Sequence, residues 1–132
     1  MLNRDSASKS ATRSEPGDNW EAQLRKGCLE LAVLAVLAPG RSYGLQILQA
    51  LETHSNLVLS EGTIYPLLNR LRQDELVQAE WVESGSGHPR KYYSLTEKGR
   101  ERAVRMAGSW IEFATGLTAL VKPLVGSRKE QV

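Results

Sequence analysis

The stretch between residues 60 and 95 changes from the hydrophobic spacing of a helix to that of two strands, and this change restricts the fold more than any other feature. Ser60 is a good N-cap residue, and apolar residues then recur three or four positions apart, at Ile64, Leu67, Leu68 and Leu71. Two strands are predicted next, at Val77–Glu83 and Lys91–Leu95, with a Gly-rich segment between them. A helix followed by a hairpin with a long tip is therefore expected.

Helical spacing predicts three further helices, at Trp20–Leu37, Tyr43–Thr53 and Thr96–Lys122. Pro39-Gly40 stops the first helix, Ser42 caps the second, and Pro123 closes the last. The resulting order of three helices, a hairpin and a last helix predicts a mainly α fold with a small β-hairpin (α+β). It is the order of a winged helix-turn-helix domain with an additional C-terminal helix.

The domain boundaries follow from the same pattern. We expect a disordered tail at 1–18, a winged helix-turn-helix domain at 19–95, a C-terminal helix at 96–123 and a flexible tail at 124–132. A chain of 132 residues is long enough for one hydrophobic core and too short for two independent ones. One folded domain is therefore predicted.

Composition and charge exclude several classes of protein. The chain begins without a signal-peptide core and has no apolar run of membrane length, so a cytoplasmic protein without a membrane partner is predicted. The lone Cys28 agrees with a reducing compartment, and His54 and His88 lack partners at metal-binding spacing. We expect no metal, no cofactor and no enzymatic activity, since no nucleophile, carboxylate pair or phosphate-binding loop is recognisable.

The outward face of the predicted third helix is the first candidate binding surface. Opposite the apolar stripe lie Gly62, Pro66, Asn69 and Gln73, flanked by Thr63, Tyr65, Arg70 and Arg72. Amides, hydroxyls and guanidinium groups are the side chains that read base edges or bind phosphates. A solvated helix face explains the same composition, so the helix alone leaves both interpretations open.

The predicted hairpin tip is the second candidate surface. Gly85 and Gly87 make the loop pliable, and His88, Arg90 and Lys91 follow directly. Such a basic wing suits a phosphate backbone or a minor groove, although a mobile basic loop without function has the same sequence. The formal net charge of +2 is too small to decide, so the argument depends on where the charges lie.

Five ordered segments form a recognisable pattern. They are LSEGTIYPLLNRL at 59–71, EWVES at 80–84, GHPRKYYSLTEKG at 87–99, YG at 43–44 and KGCLEL at 26–31. In this order they closely resemble the PadR family of transcriptional regulators. The resemblance covers about residues 20–122, and it departs from the family at His88, where arginine is more common. It implies a homodimeric repressor that binds a roughly palindromic operator in double-stranded DNA.

The resemblance also implies which residues contact DNA. Thr63, Tyr65, Asn69 and Arg70 would lie in the groove, and Arg90 and Lys91 on the backbone. The full expected set is Tyr43, Ser60, Gly62, Thr63, Tyr65, Pro66, Asn69, Arg70, Gln73, Gly87, His88, Arg90 and Lys91. The alternative is a winged helix that binds another protein instead of DNA, because a fold does not fix a function.

The last predicted helix carries a heptad seam that favours dimerisation. The seam consists of Ala103, Met106, Trp110, Phe113, Leu117, Leu120 and Leu124. Packing against the first helix of the same chain is the alternative, and both arrangements can coexist. Family members with one C-terminal helix dimerise through it and helix one, so the expected interface is Trp20, Leu24, Met106, Trp110, Phe113, Leu117 and Leu120.

Trp110 lies in the middle of this seam. PadR-like proteins are thought to sense aromatic compounds, and the ring of Trp110 suits stacking on a small aromatic effector. A tryptophan at this position equally suits the core of an interface. Both roles therefore remain open for Trp110.

Overall fold

The computed structural model describes residues 16–55, 57–85 and 87–131. Within these residues the chain forms four helices and three strands. In chain order they are α1 (Pro16–Leu37), β1 (Ser42–Tyr43), α2 (Gly44–Ser55), α3 (Glu61–Gln73), β2 (Val77–Val82), β3 (Arg90–Leu95) and α4 (Glu97–Gln131). The predicted α+β class with helices around a small hairpin is confirmed.

The core lies between α1, α2, α3 and one face of the sheet. Its fully or nearly fully buried side chains are Val33, Leu34, Leu37, Ile47, Leu51, Leu57, Ile64, Leu68, Leu71, Leu76, Val77, Tyr93 and Leu95. The helical spacing seen in the sequence explains these positions, since residues three and four apart share one side of a helix. Burial of this stripe fixes the rotation of α3 and so decides which of its residues face solvent.

The sheet contains one strand that the sequence did not predict. β1 pairs with β3 antiparallel, with Ser42 opposite Tyr93 and Tyr43 opposite Tyr92, so the strand order is β1-β3-β2. The prediction that Ser42 caps the second helix is wrong, because its backbone belongs to this strand. The helix begins at Gly44 instead. A strand of two residues is too short to show an alternating pattern, so β1 could not be predicted from the sequence.

The start of α4 is hydrogen-bonded to the two residues that precede β2. The Thr96 hydroxyl caps the helix by accepting a hydrogen bond from the Gly99 amide at 2.9 Å, as predicted, and donates one to the Glu75 carbonyl at 2.6 Å. The Thr96 amide donates to the Leu76 carbonyl at 3.1 Å. A Cβ on Gly99 would lie 1.9 Å from that same Leu76 oxygen, so only glycine permits this approach.

Two predicted boundaries are wrong. α1 begins at Pro16, so three residues assigned to the disordered tail are helical, whereas residues 1–15 lie outside the described residues. Pro123 does not close the last helix, which continues to Gln131 through the expected tail at 124–132. Proline removes the hydrogen bond to the carbonyl of Ala119, but this stretch of α4 is exposed and water can bind that carbonyl.

Candidate nucleic-acid interface

The outward face of α3 carries the residues that the helical wheel assigned to it. Gly62, Pro66, Asn69 and Gln73 are all exposed, opposite the buried stripe. Pro66 leaves the Gly62 carbonyl without its helical partner, and the exposure of Gly62 lets water take that place. Asn69 and Gln73 therefore present their amide groups to solvent one helical turn apart.

The beginning of α3 is capped through the backbone. The Ser60 carbonyl accepts hydrogen bonds from the amides of Thr63 at 3.0 Å and Ile64 at 3.1 Å. The Ser60 hydroxyl makes no cap bond and lies 3.3 Å from the Thr63 hydroxyl. Both hydroxyls are thus held together at the exposed, partly positive end of the helix, an arrangement suited to a phosphate group.

Tyr65 packs against the start of α2. A Cβ added to Gly44 would lie 2.2 Å from the Tyr65 hydroxyl oxygen, so the phenol occupies the space above this glycine. Tyr65 keeps 37% of its surface exposed. The ring therefore joins the two helices of the helix-turn-helix, in addition to reaching the candidate interface.

Arg70 points to α1, which the sequence did not predict. Its guanidinium lies 3.4 Å from Oε1 of Glu30 and 3.7 Å from Asp74, while Arg102 of α4 lies 3.2 Å from Oε2 of Glu30. The Glu30 side chain is only 18% exposed, and its Oε2 accepts no hydrogen bond within the described residues. The poorly solvated carboxylate of Glu30 thus attracts the Arg70 guanidinium to the flank of α3, where its side chain keeps 51% of its surface exposed, and its contact with DNA stays a prediction.

A ladder of arginines and tyrosines covers the outer side of the β1-β3 pair. The guanidinium of Arg90 lies 4.4 Å from the centre of the Tyr43 ring, and that of Arg41 lies 4.7 Å from the Tyr92 ring. The two rings meet edge to face at 5.4 Å. Arg41 also pairs with Glu80 at 2.5 Å. Arg41 was not among the residues predicted for the interface, because its stacking on Tyr92 depends on the pairing of β1 with β3.

Helix α3 and the hairpin border a cleft of about 510 Å³, which we call the recognition cleft. Its lining is Tyr43, Gly44, Leu45, Tyr65, Asn69, Trp81, Arg90, Lys91 and Tyr93. The lining thus combines Asn69 of α3 with two cations of β3, and it contains no carboxylate. The ammonium of Lys91 lies 5.8 Å from the centres of both the Trp81 and the Tyr93 rings.

Tyr93 forms the floor of the recognition cleft. Burial raises the pKa of its phenol above the ordinary value of 10.0, the neighbouring Tyr65 phenol raises this pKa further, and the Arg72 guanidinium opposes the rise. The phenol is therefore neutral at physiological pH. The cationic side chains that line the cleft are those of Arg90 and Lys91.

The hairpin tip is a turn built around Gly87. This residue has a φ of 90°, and its amide donates to the Ser84 carbonyl at 3.1 Å. The Ser84 hydroxyl donates to the His88 carbonyl at 2.6 Å. These bonds shape the part of the tip that is described, and they leave the His88 side chain exposed next to Arg90.

The seam residues of α4 form an exposed apolar surface with two residues of α1. Apart from Met106, which packs against the core, the expected interface residues are exposed, with Phe113 at 67% and Leu120 at 75%. The exposed members are Trp20, Leu24, Trp110, Phe113, Leu117 and Leu120. Packing within the chain therefore accounts only for Ala103 and Met106, at the beginning of the seam.

Trp110 borders an apolar groove of about 350 Å³ between α1 and α4. Leu24, Cys28, Leu31 and Leu57 line the same groove. Cys28 is half-buried there.

Among the described residues no cluster of histidine, cysteine or carboxylate side chains could hold a metal ion. No helix in that part of the chain is long and apolar enough to cross a membrane.

Residues 33–105, which contain α2, α3, the hairpin and the start of α4, match the model of the transcriptional regulator PadR-like family. The chain belongs to this family. Membership makes it a DNA-binding transcriptional regulator and not an enzyme, and it confirms the winged helix-turn-helix assignment. The combination of an exposed amide face on α3 with a basic hairpin agrees with that class of protein.

Solved structures of PadR-like proteins resemble the chain over most of its length. A PadR-like transcription factor from Bacteroides fragilis is 41% identical, with a TM-score of 0.63 over 77% of this chain and 98% of that chain. A PadR-like transcriptional regulator from Bacillus cereus is 34% identical, with a TM-score of 0.70 over 75% of this chain and 96% of that one. This PadR-family chain therefore corresponds to nearly the full length of both proteins.

A curated relative matches the chain over part of its length. The transcriptional regulator YqjI of Escherichia coli K12 is 34% identical over 77 residues, which are 57% of this chain and 35% of that protein. The chain thus matches about a third of YqjI. The similarity supports the regulator class and carries nothing about the remainder of YqjI.

Proposed function

We propose that this PadR-family protein is a repressor that binds a roughly palindromic operator as a homodimer in the cytoplasm. The observation that supports this function best is the recognition cleft, where Asn69 of α3 lies beside Arg90 and Lys91 of β3. An amide that can pair with adenine and two cations that can bind phosphates then act on one stretch of duplex. A protein partner has less support, because the cleft lining carries two cations and no carboxylate, which suits a polyanion.

The proposed contacts divide into base reading and backbone binding. Asn69 and Gln73 read base edges in the major groove, while Gly62 and Pro66 allow the helix to approach closely. Tyr43, Ser60, Thr63, Tyr65, Gly87, His88, Arg90 and Lys91 contact the backbone or support the residues that do. We leave Arg70 out of the base-reading set, because Glu30 and Asp74 hold its guanidinium at the flank of α3.

Binding should be measured on duplexes that the protein selects from random DNA, over a series of salt concentrations. A specific complex whose log affinity falls linearly with log salt is expected. Asn69→Ala should relax base preference at one position and cost about 1–3 kcal/mol on the selected duplex. The absence of any complex at low salt, or an affinity that does not depend on the salt concentration, would contradict the proposal.

The proposed dimer is formed by the exposed seam of α4 together with Trp20 and Leu24 of α1. Two copies would cover apolar side chains that each monomer leaves in water. Phe113→Asp is expected to give monomers in analytical ultracentrifugation. Val104→Asp is the matched control, because Val104 is equally exposed on α4 but lies outside the seam. Equal dissociation of both variants would argue against the seam.

We also propose that a small aromatic effector binds beside Trp110 and releases the repressor from DNA. The support is the apolar groove that Trp110 and Leu24 line. A thermal-shift screen with phenolic and planar cationic compounds would find candidates. A true effector should weaken operator binding and lose its effect in Trp110→Ala. A compound that raises the melting temperature of the parent protein and of Trp110→Ala equally does not bind at this groove.

A further inference from the structure

Trp81 continues the core-facing side of the sheet beyond the body of the protein. It lies opposite Lys91 in the β2-β3 register, and Ala79 lies opposite Tyr93. Because side chains alternate between the two faces of a strand, Trp81 and Lys91 share the face of Tyr93. Tyr93 is buried at 3% exposure, whereas Trp81 is 67% exposed. The face that covers the core therefore ends in an indole ring in solvent.

This ring belongs to a different surface from the other exposed tryptophans. Trp20 and Trp110 lie on the apolar face of α1 and α4, which the proposed dimer covers. Trp81 lies on the hairpin and lines the recognition cleft with Asn69. An exposed indole of this size costs hydration free energy, and no packing partner on its own hairpin removes most of it from water. Its position points to a ligand that enters the cleft.

The charges around Trp81 indicate the chemistry of that ligand. The lining of the cleft carries Arg90 and Lys91 and no carboxylate, which favours an anion. Lys91 also lies 5.8 Å from the Trp81 ring, so an apolar surface and a cation stand side by side. A nucleic-acid backbone has the matching pair, since each deoxyribose presents an apolar face next to a phosphate.

We propose that Trp81 is a further DNA-contacting residue, whose ring packs on a deoxyribose beside α3 while Lys91 binds the adjoining phosphate. The inference rests on the proposed DNA binding and adds a contact to it. Because sugar and phosphate repeat along every sequence, the contact strengthens binding without selecting bases. Trp81 also positions Lys91, because the ring favours an ammonium near its face.

The direct test uses Trp81 as its own reporter. The sequence has three tryptophans, so Trp20→Phe combined with Trp110→Phe leaves Trp81 alone. Acrylamide should quench its fluorescence strongly in the free protein and weakly when a selected duplex is bound. Full quenching in a complex that fluorescence anisotropy shows to be saturated would overturn the role of Trp81 and leave DNA binding intact. Failure of the parent protein to bind any duplex would overturn both.

Substitution provides a second measurement. Trp81→Ala should weaken binding about five- to tenfold on the selected duplex and on an unrelated duplex alike, which is the loss expected for part of an indole ring. Trp81→Phe should stay within about twofold of the parent, because it keeps an aromatic face. Val104→Ala, at a residue as exposed on α4, is the control and should bind like the parent.

Two results would contradict the proposal. Parental affinity in Trp81→Ala would remove Trp81 from the interface. A loss confined to the selected duplex would make Trp81 a base-reading residue instead of a backbone contact. The urea midpoint of each variant separates misfolding from lost contact, and Trp81→Phe maintains the test if Trp81→Ala unfolds.

Discussion

The basic side chains around α3 occur in two settings that differ in what balances their charge. Arg70 and Arg102 lie on the carboxylate of Glu30, between α1, α3 and α4. Arg90 and Lys91 lie over aromatic rings at the recognition cleft. A carboxylate neutralises a cation, whereas a ring orients it and leaves its charge available to another anion. The difference separates cations that stabilise the fold from cations that are free to bind phosphate.

The largest effect on DNA binding is expected when two positive charges are removed from the recognition cleft. The control removes two positive charges from the side chains beside Glu30. Arg90→Ala with Lys91→Ala should weaken DNA binding at least about 30-fold on all sequences. The slope of log affinity against log salt should fall by about two. Arg70→Ala with Arg102→Ala, the matched control, should change this slope by less than about 0.5 and mainly reduce stability. Equal slopes in the two double variants would show that the settings are equivalent.

Removal of the carboxylate tests the first setting alone. Glu30→Gln should lower the free energy of unfolding by about 1–3 kcal/mol, because it removes the carboxylate that Arg70 and Arg102 share and leaves Asp74 beside Arg70 alone. It should also strengthen binding to unrelated DNA, since one of the two carboxylates that hold Arg70 is neutralised. Glu80→Gln is the control, and the loss of its exposed pair with Arg41 should cost less than about 1 kcal/mol. Urea denaturation measures the free energy of unfolding of both variants. Similar losses in Glu30→Gln and Glu80→Gln would show that Glu30 stabilises the fold no more than an exposed carboxylate does.

Removal of a ring tests the second setting. Tyr43→Leu takes away the face on which Arg90 stacks and keeps the charge of Arg90. Affinity should fall about two- to fivefold, whereas Tyr43→Phe should bind like the parent. Anisotropy titrations at one salt concentration suffice. If Tyr43→Phe loses as much as Tyr43→Leu, the hydroxyl and not the ring supports binding.

The smallest effect concerns the neutral phenol of Tyr93. Burial and the Tyr65 phenol raise its pKa above 10.0, so the folded protein holds this proton more tightly than the unfolded chain. The contribution of Tyr93 to the free energy of unfolding is therefore constant below pH 10. Above that pH the free energy of unfolding should fall, because the unfolded chain releases the proton first. Tyr93→Phe should lose less stability than the parent over this alkaline range in pH-dependent urea unfolding. Parallel curves for both proteins would contradict the direction of the shift.

The parts of the fold that depend on local patterns could be predicted from the sequence. The stripe Ile64, Leu68 and Leu71 fixed the rotation of α3, and both strands of the hairpin lie within one residue of the predicted ends. The Thr96 cap also followed from residue type. Each of these features requires only neighbours within a few positions of the chain.

The features that depend on distant parts of the chain were missed. The contact of Arg70 with Glu30 joins residues 40 positions apart, and the stacking of Arg90 on Tyr43 requires β1, which is a product of pairing with β3. Helical spacing places Arg70 correctly on the flank of α3 but does not say that the half-buried carboxylate of Glu30 lies beside it. Trp81 was named only as part of the segment at 80–84, and its exposure was not predicted. Whether a strand residue is exposed depends on the packing of the whole domain.

The attachment at Gly99 and Leu76 makes α4 a lever. The helix has 35 residues, a length of about 50 Å, and its first turn lies directly on Leu76, the residue before β2, so we expect the hairpin to follow a tilt of the helix. A tilt of about 5° at that attachment displaces the far end of α4 by about 4 Å. In the proposed dimer, the angle at which two such helices cross therefore sets the distance between the two wings, and with it the spacing of half-sites that the protein accepts.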